Sequence, residues 1–411
     1  MKKILFILLL ILIQENRHPL AAQTIRVADV LRQLEMENIS VAQRQDTITA
    51  AFEPSAYRGV YPGIATAICH LVTMPEVHTL RLIILDNDLP QLCITLGADE
   101  IRKYQQRMCS VEDIYRTMEM TASTSEAMQA LKGSHARYSS FGKTDLVLYP
   151  GIMLVNNDLN RLYRIAVDIQ PALEMQLWKG ASLRAQACLP LINNESGKWD
   201  CIRPGYLTIR QAFRVGRHWQ GYVAGGNFSN DRQGIAASFG YFSADGRLTV
   251  GVEGGVTGIS HLYSSNWWLG KWKRTNAMLA AGYYLPSCNT QVKVEGGRFL
   301  YGDDGVKGTL SRYFGEYIVG VYAMYTDGEK NAGFHFSIPL PGKKRSRRKG
   351  MRVMLPENIS FQFDMRGGNE YARRRLGEGY RTEPKAAQDA RFYQPDYIRY
   401  FLIKTNKQET L

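Results

Sequence analysis

Two adjacent carboxylates, Asp303 and Asp304, lie between glycines in the sequence GRFLYGDDGVKG. A pair of carboxylic acids at a fixed separation is what a glycosidase needs to cleave a sugar polymer. Gly and Asp are also the residues that tight reversals between strands favour. Glu253 and Glu295 are further acids in this region, but no spacing pattern selects any pair of them. We therefore favour a turn at these aspartates and predict that the chain is not an enzyme.

A second candidate for binding is the basic sequence GKKRSRRKG, between Gly342 and Gly350. Its cations are Lys343, Lys344, Arg345, Arg347, Arg348 and Lys349. A further cluster follows at Arg373, Arg374 and Arg375. Guanidinium and ammonium groups recognise carboxylates and phosphates, so both clusters suit an acidic polysaccharide or lipopolysaccharide. The alternative is a solvated loop whose charges keep strand edges from pairing.

Aromatic residues are concentrated in the segment SHLYSSNWWLGKWKR, which contains Trp267, Trp268 and Trp272. Flat indole faces can stack on sugar rings, which makes this segment another candidate for polysaccharide binding. The alternative is purely amphipathic, because tryptophan and tyrosine are enriched where a membrane meets water.

The remaining residues show no pattern for a metal, a cofactor or a nucleophile. The seven histidines form no HExxH spacing, and the chain has no GxSxG, P-loop or Rossmann pattern. The six cysteines have no CxxC spacing, so no structural zinc site is expected. Cys188 and Cys201 flank LPLINNESGKWD and would face each other across a strand pair. Either an oxidising compartment bridges them, or they stay reduced on opposite faces.

The N-terminal sequence predicts export from the cytoplasm. Residues 1–22 combine Lys2 and Lys3 with an apolar run and a small-residue cleavage site, which is the pattern of a signal peptide. The apolar run is too short to span a bilayer. The net charge of +13 favours anionic partners. For an exported protein these partners are lipid headgroups or acidic polysaccharide, and nucleic acid is not expected.

Two regions of different periodicity follow. Residues 23–118 read as helix, two strands, helix, two strands, which predicts a small α/β domain. Residues 119–144 are rich in Ser, Thr, Ala and Gly, and we interpret them as a linker. Residues 145–366 alternate polar and apolar positions in strands of about ten residues, separated by short turns. This region is therefore mainly β, as a barrel or a large sandwich.

Strand length and aromatic placement favour a membrane barrel over a soluble β domain. About ten residues suffice to cross a bilayer at a tilt. Aromatic residues gather at strand ends, as at Trp219 and Tyr283. The polar positions hold too many charges and glycines for a packed core but suit a polar lumen. We expect roughly 12 antiparallel strands in an outer-membrane β-barrel.

The segment AGYYLPSCNTQVKVEGGRFLYGDDGVKGTLSRYFGEYIVGVYAMYTDGEKNAGFHFSIPL resembles the YjbH-like outer-membrane proteins associated with exopolysaccharide production. The earlier segment QAFRVGRHWQGYVAGGNFSNDRQGIAASFGYF is similar to the middle strands of that family. The resemblance implies a non-catalytic outer-membrane barrel with an N-terminal periplasmic α/β domain in a Gram-negative bacterium. It also implies that the protein works with other components of polysaccharide export, without a cofactor.

The C-terminal region, residues 367–411, is interpreted as a basic tail. Its sequence YIRYFLIK is a candidate for the closing strand of the barrel, although the chain lacks a terminal aromatic residue. Two alternatives to the barrel remain open on the sequence alone. One is a secreted β-rich carbohydrate-active enzyme, and the other is a soluble periplasmic interaction module.

Overall fold

A computed structural model describes residues 17–134, 138–155, 164–193, 200–263, 266–348, 350–365, 369–384 and 395–409. The chain divides into two compact units. Unit 1 comprises Met1–Ser140 together with Tyr393–Leu411, and unit 2 comprises Phe141–Phe392. No helix in these described ranges is long and apolar enough to cross a membrane.

Unit 1 is an α/β domain built on a five-stranded sheet with strands in the order β1-β2-β3-β4-β5. Its strands are β1 (Glu37–Arg44), β2 (Thr47–Glu53), β3 (Thr79–Asp86), β4 (Leu89–Leu96) and β5 (Glu119–Thr121). Its helices are α1 (Arg17–Gln33), α2 (Val60–Val72), α3 (Ala98–Gln105), α4 (Val111–Thr117), α5 (Ser125–Ala130) and, from the C-terminus, α7 (Pro395–Glu409). The pair β2–β3 is parallel because α2 crosses between the two strands, and the other pairs are antiparallel. The predicted order of helix and strand pairs is observed.

The segment expected to be a linker, residues 119–144, contributes to the packing of unit 1. Strand β5 pairs with β4, and α5 buries Ala127 against the sheet. Ala127 shares a cluster with Leu131, Ile83 and Cys93. Ala127 and Leu131 are four residues apart and so lie on one helical face. The Ser, Thr, Ala and Gly residues of this segment resemble a linker, so the sequence did not indicate this apolar helical face.

The C-terminal sequence YIRYFLIK is helical, so the prediction of a closing strand there is wrong. It lies in α7, which packs on α2 within unit 1. Ile398, Phe401 and Leu402 are buried, and the Phe401 ring stacks on Tyr61 with centroids 6.2 Å apart. The spacing i, i+3, i+4 places these three side chains on one helical face. Burial of that face against α2 explains why the segment YIRYFLIK is helical.

Unit 2 is dominated by one 15-stranded sheet, more than the roughly 12 strands predicted. Its strands are β6 (Thr144–Val155), β7 (Arg164–Trp178), β8 (Ala181–Asn193), β9 (Arg203–Val215), β10 (Trp219–Phe228), β11 (Arg232–Phe242), β12 (Leu248–Tyr263), β13 (Asn266–Leu269), β14 (Arg274–Leu285), β15 (Thr290–Arg298), β16 (Asp304–Phe314), β17 (Tyr317–Thr326), β18 (Glu329–Pro339), β19 (Met351–Met354) and β20 (Asn358–Asp364). A short helix, α6 (Asn369–Arg374), follows.

Neighbouring strands of this sheet are consecutive in the chain and antiparallel from β6 to β18, with β13 pairing only β12 as a side branch. The last two strands, β19 and β20, occupy opposite ends of the strand order. Strand β20 pairs with β18, whereas β19 pairs in parallel with the first strand, β6. Residues 351–364 therefore pair with β6 through β19 and with β18 through β20.

The two faces of the sheet show the reverse of the side-chain distribution in a soluble protein: apolar side chains are exposed and polar ones are buried. In β17, Val321 is 54% exposed while its neighbour Tyr322 is 4% exposed. The apolar residues Tyr317, Val319 and Tyr325 are exposed like Val321. Exposed apolar side chains recur in other strands, among them Leu173, Ile209, Val223, Ile235, Val252, Leu279, Val294, Val306, Phe334 and Val353. The opposite, buried face carries polar side chains, among them Arg184, Gln186, Thr208, Gln291, His335 and Ser337.

The strands run between two ends, which we call proximal and distal. The proximal end is where the chain enters β6 at Thr144, and it holds the connections 179–180, 216–218, 243–247, 286–289, 315–316 and 340–350. The distal end holds the connections 229–231, 299–303 and 327–328, together with β13. Strand β20 runs from the proximal to the distal end, since Asn358 is opposite Pro339 and Asp364 is opposite Gly333.

Candidate functional site: the polar face of the large sheet

Asp303 and Asp304 occupy the reversal between β15 and β16, and each carboxylate has its own partner. The Phe299 N–H donates to the Asp303 carbonyl at 2.9 Å, which closes the reversal. Asp304 forms an ion pair with Arg298 at 3.1 Å, whereas the buried Asp303 carboxylate accepts the Gly377 N–H at 2.7 Å. Desolvation by burial raises the pKa of Asp303. The turn interpretation is confirmed, and the two carboxylates act as separate anchors.

The basic segment 342–350 is divided between buried and exposed side chains. Arg345 donates to the Pro356 carbonyl at 3.1 Å, and Arg347 forms an ion pair with Asp145 at 2.8 Å. Lys343, Lys344 and Arg348 are exposed at the proximal end. Lys349 lies outside the described residues. Two of the candidate binding arginines therefore hold the segment against β6 and the start of β20.

The second basic cluster is compensated by carboxylates. Arg374 pairs with Asp327 at 2.6 Å, and Arg375 pairs with Glu378 at 2.6 Å. Arg373 pairs with Glu370 at 2.8 Å. The Arg374–Asp327 pair anchors the segment that follows β20 to the turn after β17, whereas the other two pairs are local to that segment.

The three candidate tryptophans lie at the distal end with exposed rings. Trp267, Trp268 and Trp272 are 44%, 61% and 48% exposed. The Trp267 indole N–H donates to Ser260 at 2.9 Å, and that of Trp272 donates to Gln233 at 2.7 Å. These bonds fix two of the rings while leaving their faces open to solvent. Because the basic segment lies at the proximal end, the two predicted binding groups do not form one site.

Of the two alternatives for Cys188 and Cys201, the disulfide is absent: the six cysteines, all within the described residues, form no disulfide. Strand register explains this, because Cys188 is opposite Arg203 rather than Cys201. No group of side chains suited to holding a metal ion occurs within the described part of the chain.

The feature that the sequence did not predict is the segment Tyr371–Glu383, which we call the strap. It begins in α6 and continues without regular structure. It crosses the buried face of the large sheet. Tyr371 packs on Met324 in β17, and the Tyr380 ring stacks on Phe228 in β10 with centroids 5.3 Å apart. Tyr380 also donates to Asn276 in β14 at 2.9 Å. The strap thus passes from β17 toward β10 along the polar face.

The strap ends in a charged cluster. Arg184 in β8 makes a bidentate pair with Glu174 in β7, at 2.9 and 3.0 Å. The third nitrogen of the Arg184 guanidinium, Nη1, reaches Glu383 of the strap at 3.3 Å. Arg210 in β9 forms an ion pair with the other carboxylate oxygen of Glu383. The Arg210 guanidinium lies 3.9 Å from the centroid of the Tyr222 ring, which supports it by a cation–π contact.

The alternation of polar and apolar residues in the sequence indicated the strand residues of this cluster. Glu174 occupies a polar position of the period-two pattern in β7, as does Asp168, which pairs with Arg203. Periodicity assigned such residues to a polar face but gave no partner for any of them. Glu383 carried no signal, because it lies in a segment without regular structure.

Comparison with known proteins gives one match. Residues 202–368 match the family model YjbH, described as exopolysaccharide biosynthesis protein YbjH. No curated protein and no solved structure matches the chain. The matched range runs from the residue before β9 to the residues after β20, and so covers most of the large sheet. The resemblance to the YjbH family of exopolysaccharide biosynthesis proteins is thereby confirmed for residues 202–368, which are similar to that family.

Proposed function

We propose that this protein is a non-catalytic outer-membrane β-barrel that assists the biosynthesis or export of an exopolysaccharide. The observation that carries the proposal is the inverted sheet, with exposed valines and leucines on one face and buried charged side chains on the other. Soluble proteins rarely expose an apolar surface of this extent. Membrane barrels present such an apolar face to lipid and keep a polar interior.

The pairing of residues 351–364 supports closure of the sheet. A flat sheet in the order β19, β6 to β12, β14 to β18, β20 would separate its edge strands by roughly 60 Å, at ~4.8 Å per strand. Only residues 355–357 connect β19 to β20, and an extended chain of that length spans at most about 14 Å. A sheet that curls until its edges approach would meet this constraint, and the parallel β19–β6 pair would then be its seam.

The connections and the N-terminal sequence support an orientation. Five of the six proximal connections contain two to five residues, with 340–350 as the exception, whereas eight residues separate β6 from β7 and nine separate β8 from β9 at the distal end. Bacterial barrels have short periplasmic turns and longer extracellular loops. Together with the signal-like sequence of residues 1–22, this supports a periplasmic location for the proximal end and for unit 1, and an outer-surface location for the exposed tryptophans.

Cell fractionation tests the proposal. We expect the native protein in the outer membrane and a folded form that migrates differently on a gel before and after boiling. A deletion strain should then lose exopolysaccharide yield, and the wild-type gene should restore it. Recovery in the soluble periplasm without a heat-dependent shift would contradict the barrel, and unchanged exopolysaccharide in the deletion strain would contradict the role.

A further inference from the structure

We propose that Arg184, Arg210 and Tyr222 form a binding site for a carboxylated sugar residue on the polar face, and that the strap's Glu383 occupies this site in the structure. The inference rests on the proposed function and names the chemical class of the polymer. Its basis is the bridging position of Glu383, whose two carboxylate oxygens are each held by a different strand arginine.

The two arginines differ in their other partners. Arg184 has a bidentate pair with Glu174, which belongs to the neighbouring strand β7 and not to the strap. Among the described residues, Glu383 is the carboxylate partner of Arg210, and the Arg210 Nε is buried without a hydrogen-bond partner. Removal of Glu383 therefore leaves a partly buried guanidinium without its counterion, and the buried Nε of that group is an unused hydrogen-bond donor.

The geometry suits a sugar carboxylate. A guanidinium binds a planar carboxylate through paired N–H donors. The Tyr222 ring, 3.9 Å from the Arg210 guanidinium, holds that donor group flat and adds an apolar face beside it. A uronic acid residue offers the same combination, a carboxylate attached to a ring with apolar C–H faces.

Glu383 can leave without unfolding the rest of the strap. The apolar anchors of the strap lie elsewhere, at Tyr371 and Leu376 on Met324 and at Tyr380 on Phe228. Glu383 itself is held by charge. A carboxylate of an incoming polymer can therefore exchange with it locally, one anion for another.

The test measures binding of hexagalacturonate, with neutral maltohexaose as the comparison, to the purified full chain in detergent. We expect Glu383→Gln to bind hexagalacturonate at least tenfold tighter than wild type, because the site is then vacated. Addition of Arg210→Gln should cancel this gain. Glu378→Gln is the matched control, because Glu378 pairs with Arg375 inside the strap and not with the sheet.

Equal hexagalacturonate binding by wild type and Glu383→Gln would overturn the site, as would an equal gain for maltohexaose. Heat-modifiable migration checks that each variant is folded. If Glu383→Gln does not fold, Glu383→Asp serves instead, since its shorter carboxylate loosens both contacts and should raise the affinity in the same direction. A negative binding result in a protein that fractionates with the outer membrane and supports exopolysaccharide yield would remove this site and leave the proposed function.

Discussion

Arg352 in β19 forms a buried ion pair with Asp145 in β6, 207 residues away in the sequence. Arg347 joins the same carboxylate at 2.8 Å. The first strand of the large sheet is thus tied to the segment that leads into its last strand. This ion-pair group lies at the parallel β19–β6 pair, which is the seam of the proposed barrel.

Asp145→Asn should loosen this seam. It leaves the Arg352 guanidinium buried without its counterion, and breaking a buried pair in this way costs about 3 kcal/mol or more. The temperature at which the folded gel band converts to the unfolded one should fall. Asp304→Asn, at the exposed pair with Arg298, is the control and should change this temperature little. Equal effects of both variants would argue against a closed seam.

A charge on the exposed apolar face separates a lipid-facing sheet from a solvated one. Val321→Arg should destabilise the folded protein in lipid vesicles by about 2–4 kcal/mol, because Val321 lies in the middle of β17. Urea titration followed by gel migration measures the change. Val321→Leu is the control and should be nearly neutral. In a soluble β domain the arginine would be tolerated, so an unchanged midpoint would contradict a lipid-facing position.

Cysteine labelling with a membrane-impermeant maleimide tests the orientation of the proposed barrel. Trp268→Cys should react in intact cells, because this distal position is assigned to the outer surface. The native Cys288, exposed in the proximal connection 286–289, should react only after the outer membrane is permeabilised. A Cys201→Ser background removes the partly exposed thiol at the distal end. If intact cells label Cys288 and the Trp268→Cys substitution adds no further label, the orientation is reversed.

The C-terminal helix should be essential for the stability of unit 1. Phe401→Ala deletes a buried ring from the contact with α2, which costs about 3–5 kcal/mol for a core phenylalanine. Hydrogen exchange of α2 in the full chain should accelerate accordingly. Tyr400→Ala, on the exposed side of the same helix, is the matched control. Unaltered protection of α2 in Phe401→Ala would refute this packing role.

The stability of unit 1 should fall as the pH rises above about 4.5. Burial raises the pKa of Glu53. The N–H bonds from Asn87 and Asp88 lower this pKa, but burial has the larger effect. The folded state therefore retains a proton that the unfolded state has already lost, which favours folding at the lower pH. Urea midpoints of unit 1, read by limited proteolysis at about pH 5 and about pH 7, should differ less in Glu53→Gln than in wild type. Asp99→Asn, at an exposed carboxylate, should behave as wild type.

Much of this protein could be predicted from its sequence because the relevant interactions are local. The period of two in residues 145–366 predicts strands with one apolar and one polar face, since successive side chains of a strand point to opposite sides. Glycine-flanked acids at Asp303 and Asp304 predict a turn. The helix and strand pairs of unit 1 follow from apolar spacing in the same way.

Tertiary structure decided what depends on partners distant in the chain. YIRYFLIK contains an apolar pattern that fits either period, and burial of Ile398 and Phe401 against α2 makes it a helix. Arg345 and Arg347 have a composition suited to ligand binding, yet each is committed to a contact within unit 2. Glu383 has no regular pattern around it, and its meeting with Arg184 and Arg210 is set by the path of the strap. Periodicity determines which face a residue occupies, whereas its partner is determined only when strands and strap are brought together.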